Sequence, residues 1–245
     1  MSVSPTNAVS ELLAAAKAAS WQRFLVCLLD VGRIAGHLTI GSSERSLVVE
    51  ELAQFLTQLQ GIRLPREKEY HATARKLQIL AYSQFWESRA IQRMLTGLVR
   101  IANGGGYDPD LYEPVPEGVR TYDIITVLRR EASEAGLQLG DFLEDVYKNQ
   151  VRNAFVHSQL YFVGDLICFL NCSPKSRSLR ASMKLAEWDA IWAATREFIA
   201  AFFPQRLDAL KAFRANLPIR VNLPEIGSFR ITYDDVQHRW TFMVP

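Results

Sequence analysis

Cysteine, histidine and lysine are scarce in this chain, and each shortage narrows what it can be. The three cysteines, Cys27, Cys168 and Cys172, include no pair at CxxC spacing, and an odd number argues against a disulfide framework. Cys168 and Cys172 fall in an apolar run and read as small core residues. The four histidines are too scattered among the cysteines to suggest a zinc site, so no metal and no cofactor is expected. No apolar run approaches the ~18 residues that a membrane helix needs. Residues 1–7 lack the charged-then-apolar order of a secretory signal. A cytoplasmic protein without a membrane partner is the expectation. Charge of one sign is lacking too, since 28 basic and 26 acidic residues leave a net +2. A polyanionic partner would therefore have to meet a local basic surface. Only 7 of the basic residues are Lys and 21 are Arg. The planar guanidinium favours bidentate contacts with phosphate or carboxylate, although a GC-rich gene gives the same bias.

What is present is apolar periodicity, mostly helical. Hydrophobic residues make up 49% and charged residues 22%, enough for one sizeable core over 245 residues. The spacing predicts helices over residues 7–19, 21–37 and 47–59. A long helix follows over 66–102, with a kink near Gly97, stopped by Asn103 and three glycines. Residues 103–120 carry three prolines and several acids and read as a connection bordering a site or simply linking helices. The glycines there are not followed by Gly-Lys-Ser/Thr, so they do not form a phosphate cradle. Further helices are expected over 121–135, over 141–157 with Asp141 as N-cap and Glu144 as its reciprocal partner, over 185–203 closed by Pro204, and over 206–215.

Strands come late. Residues 159–163 and 166–171 flank Gly164-Asp165, a two-residue hairpin turn, and 173–178 form a polar turn. Phe229, Ile231 and Tyr233 alternate with polar residues, as do Trp240, Phe242 and Val244, and 219–223 can add a third strand. The fold class is mainly α, a helical bundle with small antiparallel hairpins in the C-terminal third. The organisation reads as N-terminal helices over 1–64, a helical core over 65–215 and a C-terminal hairpin over 216–245 packed on the same domain.

Within the helix expected over 141–157, Arg152, Asn153 and His157 gather three phosphate-competent groups into six positions. Asn153 and His157 are i, i+4 and share a face. Arg152 is offset from His157 by roughly 140°, but its long side chain can swing to the same side. Ala154, Phe155 and Val156 would anchor the turn on the core. Arg152-Asn153-Ala154-Phe155-Val156-His157-Ser158 resembles the signature of the HEPN superfamily, in which Arg and a following polar residue precede His. The likeness covers these residues and the helical context of roughly 65–215. The same bare spacing also occurs at Arg66–His71, among charged residues that read as a solvated helix face. What separates the two is Asn153 and the apolar anchor.

The resemblance implies a HEPN-type helical bundle and metal-independent cleavage of RNA by attack of a ribose 2′-hydroxyl on phosphate. It casts His157 in proton transfer, Arg152 in stabilising the phosphate and Asn153 in orienting either. An imidazole that titrates near neutrality suits the first role and a guanidinium the second. It implies a homodimer with a shared cleft, RNA as partner, and a toxin or phage-defence setting in which an antitoxin or regulatory protein restrains the enzyme. Lys148, one turn before Arg152, Ser158, and Tyr161, able to stack on a base, are candidate substrate contacts. The alternative is a non-catalytic HEPN-like binding or regulatory module. In that case His157 would cap the helix end and Arg152 would pair with an acid on a neighbouring helix.

Overall fold

The computed structural model describes residues 3–34, 37–39, 58, 68–111, 121–171 and 180–243. Residues 47–57 and 59 of the helix expected over 47–59, Arg66 of the Arg66–His71 match, residues 112–120 of the 103–120 connection, the polar turn over 173–178, Cys172 and Val244 lie outside what it describes. Among the described residues there are eight helices: α1 (Pro5–Ala19), α2 (Trp21–Leu28), α3 (Lys68–Glu87), α4 (Arg89–Ala102), α5 (Thr121–Glu134), α6 (Leu139–Val146), α7 (Asn149–Val156) and α8 (Leu185–Arg214). The strands are β1 (Gly32–Ile34), β2 (His37–Thr39), β3 (Leu160–Val163), β4 (Leu166–Phe169), β5 (Ser182–Lys184), β6 (Ile219–Leu223), β7 (Gly227–Asp234) and β8 (Arg239–Met243). The chain is therefore mostly helical, with two three-stranded antiparallel sheets in its C-terminal part, β3-β4-β5 and β6-β7-β8, and a short β1-β2 ladder near the N-terminus.

α1 starts where its sequence says it should. Ser4 takes an extended conformation and its hydroxyl accepts from the Asn7 N–H, while Pro5 sits at the first helical position. Its stripe of Ala8, Val9, Leu12, Leu13 and Ala16 is buried. Ser20 then ends α1 and caps α2 with its hydroxyl on the Arg23 N–H. α2 stops at Leu28, nine residues short of the expected end, because two tertiary contacts terminate it. Arg206 of α8 donates from Nε and Nη2 to the Leu28 carbonyl. Asp30, at φ 51°, swings its carboxylate onto Arg93 of α4. The chain leaves that turn as β1, paired with β2 from Gly32↔Thr39 to Ile34↔His37.

The long helix expected over 66–102 is two helices. Ser88 is extended, and its hydroxyl accepts from the Ile91 N–H, so α3 ends and α4 begins there. Gly97 lies inside α4, where a Cβ would sit 2.8 Å from Cys27 Sγ, so glycine allows α2 and α4 to approach. The helix expected over 141–157 also divides, at Tyr147 and Lys148, and Gln138 rather than Asp141 precedes its first turn. Conversely, α8 continues through Pro204, where two pieces were expected. The proline forfeits a helix hydrogen bond and costs roughly 3 kcal/mol in an ordinary interior. Packing on both sides offsets that. Trp188, Ile191, Phe198 and Phe202 are buried before it and Leu210 after it, and Phe213 packs its ring on Trp21 and Phe24.

The β3-β4 hairpin turns at Gly164 (φ 56°) as expected, and β5 adds a strand the periodicity did not show, pairing Ser182↔Cys168 and Lys184↔Leu166. Cys168 is only partly buried, and Cys27 is buried. One cluster of buried residues runs from Ala8 in α1 to Ile231 in β7. At its centre Phe142 of α6 stacks on Phe198 of α8 at 4.8 Å, with Phe85 and Trp86 of α3 and Phe202 of α8 around them.

Asp30 and Arg93 form an ion pair with side chains only 5% and 4% exposed, bonded through Nε–Oδ1 (2.7 Å) and Nη2–Oδ2 (2.6 Å). Removing one member leaves the other charged and buried, at a cost of about 3–5 kcal/mol. Asp30→Ala is accordingly expected to lower the unfolding free energy by that amount in a urea titration. A change under about 1 kcal/mol would show that water reaches the vacated Arg93.

Candidate active site

The sequence-predicted residues cluster on and around α7, and a tyrosine 64 positions upstream of Val146 sets where α7 begins. Tyr82 of α3 is fully buried, with burial raising its phenol pKa. Its hydroxyl donates to the Val146 carbonyl (3.0 Å) and accepts from the Lys148 N–H (2.6 Å). Both backbone groups flank Tyr147, where the helix breaks, and Tyr82 satisfies them in place of the lost helical bonds. Tyr147 lays its ring edge-on against Trp86 at 6.2 Å. Burial pushes its phenol up to about 12, and its hydroxyl has no hydrogen-bond partner among the described residues.

α7 buries Val151 and Ala154, packs against α3, and leaves Arg152 and Asn153 half-buried. Arg152 Nε donates to Glu87 Oε1, and its Nη1 donates to Asn153 Oδ1 at 2.7 Å. The two side chains predicted to act together are thus in contact, but the guanidinium is also committed to Glu87, the last residue of α3. The acid on a neighbouring helix is real. Arg152 and Glu87 expose 21% and 27% of their side chains, so the pair stands at the rim of the core.

His157 follows one turn on. Its backbone N–H donates to the Asn153 carbonyl (3.1 Å), making it the residue that closes α7. The cap is made by its main chain, and the imidazole stands exposed with no hydrogen bond to a described residue. Next, the Ser158 N–H bonds to the Phe155 carbonyl and the Gln159 N–H to the Ala154 carbonyl (2.6 Å), the double bond pattern that ends many helices. Glycine ordinarily fills the left-handed position of that pattern. Here it is Ser158, at φ 54°, where a side chain costs roughly 1–2 kcal/mol. The turn aims the chain into β3, and Tyr161 faces outward there, 47% exposed and cross-strand from Cys168. Lys148 points elsewhere. Its ammonium bonds to the Glu144 carbonyl one turn back, and burial lowers its pKa.

Glu87, Tyr82 and Tyr147 were not singled out by the sequence, and no local pattern marks them, because each acts across some 65 positions. The Asn149 amide oxygen is likewise buried at the start of α7 without a partner among the described residues. Among the described residues no group of three or more His, Cys, Asp and Glu could hold a metal ion, and no helix is long and apolar enough to cross a membrane.

No family model, curated protein or solved structure matches the chain. What the site can do therefore follows from its own chemistry. It offers a guanidinium held in plane by a carboxylate and an amide, an amide whose NH₂ is turned away from that contact, and a solvent-facing imidazole one turn along. Guanidinium and carboxylate cancel in charge, so the site does not attract an anion over distance.

Two phenol-to-phenyl changes should separate support from packing. Tyr82→Phe orphans the Val146 carbonyl and the Lys148 N–H, and is expected to cost about 1–3 kcal/mol in urea unfolding. Tyr147→Phe removes a hydroxyl with no partner among the described residues, and should be neutral or stabilise by about 1 kcal/mol. Equal effects from both would refute the bridging role of Tyr82.

Proposed function

We propose that the chain is a metal-independent endoribonuclease of the HEPN type, working as a cytoplasmic homodimer in a toxin or phage-defence setting and restrained there by a partner protein. The observation that carries this reading is the 2.7 Å contact between Arg152 and Asn153 with the exposed His157 one turn further along. His157 takes the proton of a ribose 2′-hydroxyl, whose oxygen attacks the adjacent phosphorus. The P–O5′ bond breaks, giving a 2′,3′-cyclic phosphate, and the departing oxygen receives a proton from the imidazolium of the second copy. Arg152 Nη2 meets the charge that develops on the phosphoryl oxygens. Asn153, its Oδ1 already engaged by Arg152, offers Nδ2 to a phosphate oxygen. Ser158 and Tyr161 border the same exposed edge, and Tyr161 is placed to stack on a base.

A second copy is supported by the apolar residues around His157. Val156, Tyr161, Val163 and Leu170 are all exposed, by 47–63%, on the end of α7 and the β3-β4 hairpin. A dimer that covers them would bring two His157 side chains into one cleft.

A second reading has a specific observation in its favour. Arg152 has a structural partner in Glu87, and His157 closes a helix, so a HEPN-like binding module without catalysis would account for both residues.

Purified protein incubated with total RNA in EDTA decides between them. Cleavage is expected to persist without divalent metal, to leave cyclic phosphate ends, and to fall at least about 100-fold in His157→Ala and in Arg152→Ala. Activity that EDTA abolishes, or that His157→Ala retains, would sink the mechanism. For the assembly, sedimentation equilibrium should show a dimer that Leu170→Glu weakens; a monomeric native chain would refute the shared cleft.

A further inference from the structure

The β6-β7-β8 sheet divides its residues cleanly between two faces. Ile219, Val221, Leu223, Phe229 and Ile231 are buried on one, joined by Phe242 against Phe229 at 5.8 Å and by Trp240 against Tyr233 at 5.4 Å. The other face carries Arg220, Asn222, Ser228, Arg230, Thr232, Thr241 and Met243. On it Arg220 and Arg230 are register partners, directly opposite each other on neighbouring strands, and both are exposed. Side chains so placed have Cβ atoms about 5 Å apart, and like charges there oppose pairing of the strands. Neither guanidinium has a carboxylate or any other bonded partner among the described residues. Around them lie neutral hydrogen-bonding groups already paired across the strands, with Ser228 on Asn222 at 2.8 Å and Thr232 on Thr241 at 2.7 Å. The one acid on this side, Asp234, lies opposite Arg239 at the far end and accepts from the N–H groups of Val236 and Gln237 in the turn.

Two opposed guanidiniums with no bonded carboxylate among the described residues impose a cost that an anionic ligand would remove. The geometry points to this outer face as a docking surface for the phosphodiester backbone of single-stranded RNA, with Arg220 and Arg230 on neighbouring phosphates and the amide and hydroxyl groups on phosphate or sugar oxygens. Charge complementarity selects a polyanion, since the face is positive in a chain whose net charge is only +2. Composition selects nucleic acid over an acidic protein. Protein interfaces concentrate aromatic residues and are poor in charge at their centre. Here the aromatic rings are turned to the core, and Met243 is the sole large apolar side chain exposed on this face of the sheet. The contacts are with backbone, so the surface holds RNA without reading its sequence. The sheet packs on α2 through β6, so this is a separate surface from the one around α7. The choice of RNA among polyanions rests on the proposed ribonuclease reading.

The test uses the full chain and a fluorescein-labelled single-stranded RNA of about 20 nucleotides, 2′-O-methylated so that it cannot be cleaved by 2′-hydroxyl attack. Fluorescence anisotropy is read over a range of salt. The native chain is expected to bind with salt-dependent affinity. Arg220→Gln/Arg230→Gln should bind about tenfold more weakly or worse, and its log–log salt slope should fall by about 1.4, at about 0.7 for each lost phosphate contact. Arg220→Lys/Arg230→Lys should keep most of both. The Gln variant should melt at or above the native temperature, because it relieves a like-charge pair. Unchanged affinity and slope in the Gln variant would overturn the proposal, as would a native chain that does not bind. So would a lower melting temperature in the Gln variant, or stronger competition from polyglutamate than from RNA of equal length. Cleavage lost in His157→Ala, with binding indifferent to Arg220 and Arg230, would refute this surface and leave the nuclease reading standing. Binding that depends on the two arginines without cleavage would do the reverse.

Discussion

The arrangement at α7 depends on one buried hydroxyl. α6 and α7 are eight residues each, too short to persist in water on their own. Joined, they would make one ordinary amphipathic helix, and the sequence reads that way. Tyr82 supplies an alternative to the two backbone bonds lost at the break, within a core that already holds its ring against Trp188 at 5.3 Å. Each such bond is worth only about 1 kcal/mol net, but leaving both groups buried and unpaired would cost several. The aromatic core fixes Tyr82, Tyr82 fixes the break, and the break gives α7 a direction of its own. Only in that direction do Val151 and Ala154 pack toward α3, bringing Arg152 within reach of Glu87.

Arg152 and Asn153 sit in the middle of α7, but the groups around them stand at helix ends, where backbone geometry changes and local patterns are weakest. Glu87 ends α3, Lys148 precedes α7, and His157 and Ser158 follow it. Each junction is closed by a side chain or a backbone turn: Ser88 for α3–α4, Tyr82 for α6–α7, and the Ser158 reversal between α7 and β3. Rigid ends matter for a guanidinium, because five donors on a fixed plane serve only an acceptor that meets that plane. With Nε on Glu87 and Nη1 on Asn153, the orientation of Arg152 is set before any ligand arrives.

What the sequence shows well is what short-range chemistry controls. Ser4-Pro5 and the Ala-Leu stripe define α1, Gly164 the first hairpin, and the period of two the strands from Phe229 onward, where Ile231↔Phe242 and Tyr233↔Trp240 pair as the alternation requires. The Arg152–Asn153 contact also follows from adjacency. The misplacements share one cause. α2 ends at Leu28 because Arg206 and Arg93 act on it from positions 178 and 63 residues away from their partners. α3 and α4 part at a serine that reads as ordinary inside a helix, and α8 continues through a proline because both halves bury aromatic surface. Propensity proposes these boundaries and tertiary contact moves them. Glu87 is the clearest case, since nothing in its neighbourhood marks it as the partner of a residue 65 positions on.

Charge separates the two faces proposed to meet a nucleic acid. At α7 the carboxylate of Glu87 cancels Arg152, leaving good short-range geometry and little long-range pull. On the C-terminal sheet Arg220 and Arg230 have the opposite character, with no counter-charge bonded to either among the described residues. A polyanion meeting this chain would be drawn by the second kind of surface and could be transformed only by the first. A net charge of +2 spread evenly would do neither well. Concentrated on one sheet face, positive charge would hold the proposed strand without pulling each phosphate onto the rim at Arg152, where an unpaired arginine would bind substrate and transition state alike. Under the proposed ribonuclease reading, the neutral Arg152–Glu87 pair is a favourable arrangement, because the guanidinium would gain most when charge develops on the phosphoryl oxygens after the 2′-oxygen has begun its attack.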